Sequence, residues 1–132
     1  TAADENDLTV NGTIEAVNDI VAFSDARIKE NIKPIDSALD KVLLMRGVTY
    51  DRIGTDHHSS GVLAQDIENI APELVFDTSA RLDENDMLMT NHNGKEGKAV
   101  KGVAYNKLTA YLVEAIKELK TELEEVKNGS SG

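Results

Sequence analysis

Phe23-Ser24-Asp25-Ala26-Arg27-Ile28-Lys29 is where this 132-residue chain changes character. Residues 1–23 hold five carboxylates and no Lys or Arg, whereas residues 24–52 hold six basic and five acidic residues. Before the junction the sequence reads as extended chain. Leu8-Thr9-Val10 and Thr13-Ile14-Glu15-Ala16-Val17 flank the turn dipeptide Asn11-Gly12, and Asp19-Ile20-Val21-Ala22-Phe23 is a further strand candidate. So short a stretch cannot close a core, so it reads as the end of a larger β structure. The opening residue is not Met, and the chain is read as starting inside a longer protein. The junction also sets a hydroxyl five residues before an amine, Ser24 and Lys29. That spacing suggests a chain that cuts itself, but a solvated loop before a helix uses the same common residues.

After the junction the pattern is mixed. Lys33-Pro34-Ile35-Asp36-Ser37 prepares a helix with Asp36 or Ser37 as cap, and Ala38, Leu39, Val42, Leu43 and Met45 form its apolar stripe up to Gly47. Val48 to Arg52 is a short strand, and Gly54 to Gly61 a polar loop. Val62 to Ile70 reads as strand turning into helix, stopped by Pro72, and Leu74-Val75-Phe76 is a strand candidate. Residues 77–102 are polar and Gly-rich around Asn93-Gly94, the mark of a projecting β-hairpin rather than a packed layer. From Tyr105 to Lys127 the period is helical. Leu112, Ile116, Leu119, Leu123 and Val126 recur at spacings of 4, 3, 4 and 3, an a/d seam that favours a helix paired with copies of itself over one lying on its own core. Residues 128–132 read as a flexible tail.

Composition excludes several classes. A net charge of −10 is the wrong sign for a uniform nucleic-acid binder or an acidic membrane surface. No apolar run reaches a transmembrane length, and Cys is absent. His57 and His58 are adjacent and point apart, so with Asp56 and His92 they make no convincing metal site. Asp83-Glu84-Asn85-Asp86 fails as a calcium loop, because Leu88 stands where Gly is needed and Gly94 where Glu is needed. No metal and no cofactor is expected. Asn11-Gly12-Thr13 and Asn128-Gly129-Ser130 fit the glycosylation pattern, but no secretory signal accompanies them.

Ser24-Asp25-Ala26-Arg27-Ile28-Lys29 resembles the S-D-x-R-x-K motif opening the C-terminal intramolecular chaperone domain of phage tail fibres and tailspikes, the S74 family of self-cleaving peptidases found behind endosialidases. Three other stretches are similar to that family in the same order. They are Asp19 to Phe23, then Gly61-Val62-Leu63-Ala64-Gln65-Asp66-Ile67 with Ala71-Pro72-Glu73-Leu74-Val75, then Val103 to Leu108 with Leu112 to Leu119.

The resemblance implies an α+β domain with a projecting β-hairpin and a long C-terminal helix that forms a trimeric helical bundle through Leu112, Ile116, Leu119 and Leu123. It implies a domain at 24–127 behind the end of an upstream fibre at 1–23. The partners would be two further copies and the fibre domain of the same polypeptide, often a triple β-helix, with no nucleic acid and no membrane. By carry-over Ser24 is the nucleophile and Lys29 the general base, the cut falls between Ser24 and Asp25, and Arg27 is a supporting residue. A serine hydroxyl must lose its proton to attack, and a lysine accepts one only when held neutral by burial or a cationic neighbour. The setting implied is a tail-fibre precursor of the virion, assembled in the host cytoplasm and freed of its chaperone by the cut. The alternative is a non-catalytic trimerisation module of a fibre protein.

Overall fold

The computed structural model describes residues 8–89 and 97–130. Its elements run α1 (Ala38–Leu44), β1 (Val48–Asp51), β2 (His58–Gly61), α2 (Ala64–Ile70), β3 (Val75–Leu82), β4 (Lys98–Val103) and α3 (Tyr105–Ser130), with single 3-10 turns at Ala26–Ile28 and Pro72–Leu74. The α+β expectation therefore stands, as two separate two-stranded antiparallel sheets, β1–β2 and β3–β4, with a long C-terminal helix.

The core forms where three helices meet. Ile67 of α2, Ala71 just after it, Leu74 of the second 3-10 turn and Tyr111 of α3 are buried together, with Ile35, Val42, Met45, Val62, Ile70, Val75 and Leu108 packed around them. Ala38 and Leu39 of α1 meet Ala115 of α3 in a second cluster. Removing the fully buried Leu74 side chain would leave a cavity at the junction of α2 and β3, which is why an apolar residue follows Pro72 and Glu73 there. The Tyr105 hydroxyl ties the start of α3 to the end of β2: it accepts from the Val62 N–H at 3.2 Å and donates to the Val62 carbonyl at 3.4 Å. Gly61 permits this approach, since a Cβ there would meet the hydroxyl.

Helix α1 starts where expected, but not by the expected means. Ser37 holds the N-cap position in the left-handed region (φ 53°) and its side chain makes no cap bond. Instead Glu118 of α3 accepts from the Ala38 N–H (3.1 Å) and the Leu39 N–H (2.9 Å), satisfying two of the helix's free donors from across the chain. Glu118→Ala is expected to lower stability by about 1–2 kcal/mol, the range of a lost helix cap. Glu118→Gln, which keeps one acceptor oxygen, should lose roughly half as much; urea unfolding of the three proteins reads the series. At its other end α1 stops at the extended Met45, two residues before the expected Gly47.

Three other expectations change. The 54–61 stretch is a turn followed by β2, which pairs residue for residue with β1 from Val48↔Gly61 to Asp51↔His58. Val62 and Leu63 lead into α2 without being part of a strand. Residues 8–23 form no strand and are exposed throughout, with Phe23 94% exposed, because a strand needs a neighbour and the single chain places none beside them.

The hairpin is as expected in kind and longer than expected. β3 pairs with β4 from Val75↔Val103 to Leu82↔Lys98. Between Asp77 and Arg81 the register slips, and Thr78 closes the bulge by donating to the Val100 carbonyl at 2.7 Å and accepting from the Ala80 N–H at 3.2 Å. Lys101 fastens the root of the hairpin to α2 through Glu68 (2.9 Å) and to the facing strand β3 through Asp77 (3.3 Å), and these carboxylates raise the Lys101 pKa. Beyond Val75 the hairpin contributes no core residue among those described. Its acidic run is a turn: the Asp83 carboxylate accepts from the Asn85 and Met87 N–H groups, which leaves it committed to backbone. No metal-binding cluster occurs among the described residues. Asn93-Gly94 and His92 lie outside them.

Helix α3 runs to Ser130, past the expected end at Lys127. Its inner face carries Leu108, Tyr111, Ala115 and Glu118. The seam residues Leu112, Ile116, Leu119 and Leu123 lie on the adjoining face and are between 47% and 66% exposed in the single chain. No helix among the described residues is long and apolar enough to cross a membrane.

Candidate functional site

The run from Ser24 to Lys29 brings its two chemical groups together. Asp25 is the N-cap of the 3-10 turn Ala26–Ile28, its carboxylate accepting from the Arg27 N–H at 2.8 Å. The turn is closed by the Ile28 N–H donating to the Asp25 carbonyl and the Lys29 N–H to the Ala26 carbonyl, each at 3.1 Å. This reverses the chain enough for Lys29 Nζ to reach Ser24 Oγ at 2.7 Å. An ammonium donates in such a contact; a neutral amine can instead accept the hydroxyl proton.

Arg27 is engaged by Asp25. Its guanidinium forks onto the Asp25 carboxylate, Nε to Oδ1 at 3.1 Å and Nη2 to Oδ2 at 2.8 Å. The Arg27 side chain first, and its backbone N–H second, hold the Asp25 carboxyl below its usual pKa; the same fork raises that of Arg27. Nothing in the sequence motif distinguishes this Asp25–Arg27 pairing from a pairing of Asp25 with Lys29. Every residue from Ser24 to Pro34 is exposed, so the desolvation that the chemistry asks of Lys29 is not supplied by the single chain.

The seam residues Leu112, Ile116, Leu119 and Leu123 are brought to one face of α3, distant in sequence from the dyad. They form a surface rather than a pocket.

Comparison with known proteins bears on the segment that begins with this turn. Residues 24–76 match the family Peptidase_S74, described as chaperone of endosialidase. The match begins at Ser24 itself, so the S74 segment opens on the candidate nucleophile and ends at Phe76 in β3. Long tail fiber protein Gp37 of Enterobacteria phage K3 is 33% identical over 110 residues, 80% of this chain and 8% of that protein. Gp37 of phage T2 is also 33% identical, over 80% of this chain and 7% of its own length. Gp37 of phage M1 is 32% identical over 113 residues, 42% of its length. The chain thus spans less than half of the length of each of these relatives.

Proposed function

We propose that residues 24–127 are an intramolecular chaperone of a phage tail fibre, which assembles as a homotrimer, templates the folding of the fibre upstream, and then releases itself by cutting between Ser24 and Asp25. The observation that carries this reading is the 2.7 Å contact between Lys29 Nζ and Ser24 Oγ at the first residues of the S74 segment. The printed names of the relatives place them in long tail fibres, which supports a virion setting for this chain. Residues 1–23 would be the end of the fibre. The exposed apolar side chains of residues 8–23 would be covered once three copies lie side by side.

The chemistry balances with the chain's own groups and water. Lys29, as free amine, takes the Ser24 Oγ proton. Oγ then adds to the carbonyl carbon of the Ser24–Asp25 peptide bond, the C–N bond breaks, and the proton passes to the Asp25 nitrogen, which leaves as a new N-terminus. Water hydrolyses the resulting ester to a Ser24 carboxylate and restores the hydroxyl. Attack within one residue closes a strained ring; attack on the matching bond of a neighbouring copy does not.

A second reading, a trimerisation module that stays attached, is favoured by the exposure of the dyad in the single chain. Intact-mass measurement on the full-length polypeptide decides between them. The cleavage reading expects two fragments, the smaller beginning at Asp25; a single uncut mass in assembled protein leaves the structural module.

A further inference from the structure

We propose that Arg27 is a positioning residue that keeps the Asp25 carboxylate away from Lys29, so that Lys29 remains on Ser24; this rests on the cleavage reading above. The segment contains one acid placed where it could defeat the base. Asp25 sits between the nucleophile and the turn, and Lys29 is the next cation after Arg27 along the chain. A carboxylate paired with Lys29 would act against the reaction twice. It would draw Nζ from Ser24 Oγ, and it would favour the ammonium form, which has no lone pair to accept the hydroxyl proton.

The geometry removes that possibility through one side chain. Both Asp25 oxygens are engaged by Arg27, Oδ1 by its backbone N–H at 2.8 Å and by Nε at 3.1 Å, Oδ2 by Nη2 at 2.8 Å. A fork of this kind suits a guanidinium, which stays charged and holds a carboxylate in a fixed plane, better than an ammonium. Stability is a poor explanation for it, since an ion pair this exposed adds little to folding. The consequence lies two residues on, where Lys29 Nζ is 2.7 Å from Ser24 Oγ. Lys29 lies in an exposed segment whose other charged groups, beside Asp25 and Arg27, are Glu30 and Lys33. Glu30 is adjacent to Lys29 and has no part in the turn's hydrogen bonds.

A merely structural fork and a carboxylate guard predict different double variants. The test follows cutting of the full-length polypeptide against pH, by the mass of the fragment beginning at Asp25. Arg27→Ala should cut about tenfold more slowly at neutral pH and recover as pH rises, its rate profile displaced by about one unit to the alkaline side, as for a base made one unit stronger. In Asp25→Asn no carboxylate remains to be released, so adding Arg27→Ala to it should cost little further rate and leave the profile in place. A double variant as slow as Arg27→Ala alone, or an Arg27→Ala protein with an undisplaced profile, overturns the inference. An uncut wild-type protein overturns the cleavage reading instead, so the two failures are distinguishable.

Discussion

Ser24→Ala in the full-length polypeptide is expected to abolish the fragment beginning at Asp25 while leaving assembly unchanged. The hydroxyl is the one group at the junction that can form the ester, and alanine offers nothing in its place. Ser24 is exposed and lies outside both core clusters, so its loss should change stability by no more than about 0.5 kcal/mol. Lys29→Ala removes the proton acceptor and should slow cutting by roughly 10²–10⁴-fold, the usual contribution of a positioned base. Both variants should co-sediment with the wild type. Normal processing in Lys29→Ala would take lysine out of the mechanism, and normal processing in Ser24→Ala would end the serine mechanism altogether. Lys29 is exposed in the single chain, so under the cleavage reading its desolvation would come from neighbouring copies or from the folded fibre. Wild-type cutting should therefore lag behind assembly, and pulse-chase gels that resolve trimer from fragment would show that order.

Much of the domain could be read from the residues because local signals agreed with the tertiary outcome. The 3.6-residue period of α3, the stop at Pro72 after α2 and the polar excursion between β3 and β4 each follow from nearby chemistry. Strand β2 could not be read that way. Its residues, His58-Ser59-Ser60-Gly61, have no strand preference of their own, and it exists because β1 lies alongside. The cap on α1 was equally hidden, since Glu118 is 80 residues from the N–H it accepts, and a cap at that separation leaves no local pattern. Residues 8–23 show the opposite case, a strand-like pattern with no partner within one chain. At the junction, the five-residue spacing singled out Ser24 and Lys29, whose side chains the structure brings into contact. The Asp25–Arg27 fork was not announced, because a motif states which residues are present and not which charge takes which partner.

Ile116→Asp combined with Leu119→Asp should leave each chain folded and prevent the chains from assembling. The expectation follows from the division of α3 into two adjoining faces. Tyr111 and Ala115 hold the helix to the core and Glu118 caps α1, whereas Ile116 and Leu119 are 66% and 53% exposed. New carboxylates at exposed positions cost the single chain little, so the urea midpoint of the isolated protomer should move only slightly. In an assembled seam the same carboxylates would lie opposite their own copies without a partner, at a cost of several kcal/mol per copy. Sedimentation equilibrium should find a trimer for the wild type and a monomer for the double variant. A monomeric wild type would remove the seam from the argument. A trimeric double variant would place the interface elsewhere, with Leu43 and Leu44 of α1, both largely exposed, the next apolar surface to test. If assembly is what desolvates Lys29, the monomeric variant must also remain uncut although Ser24, Asp25, Arg27 and Lys29 are all intact. That joint loss would tie the chemistry of the junction to a helix face more than eighty residues away in sequence.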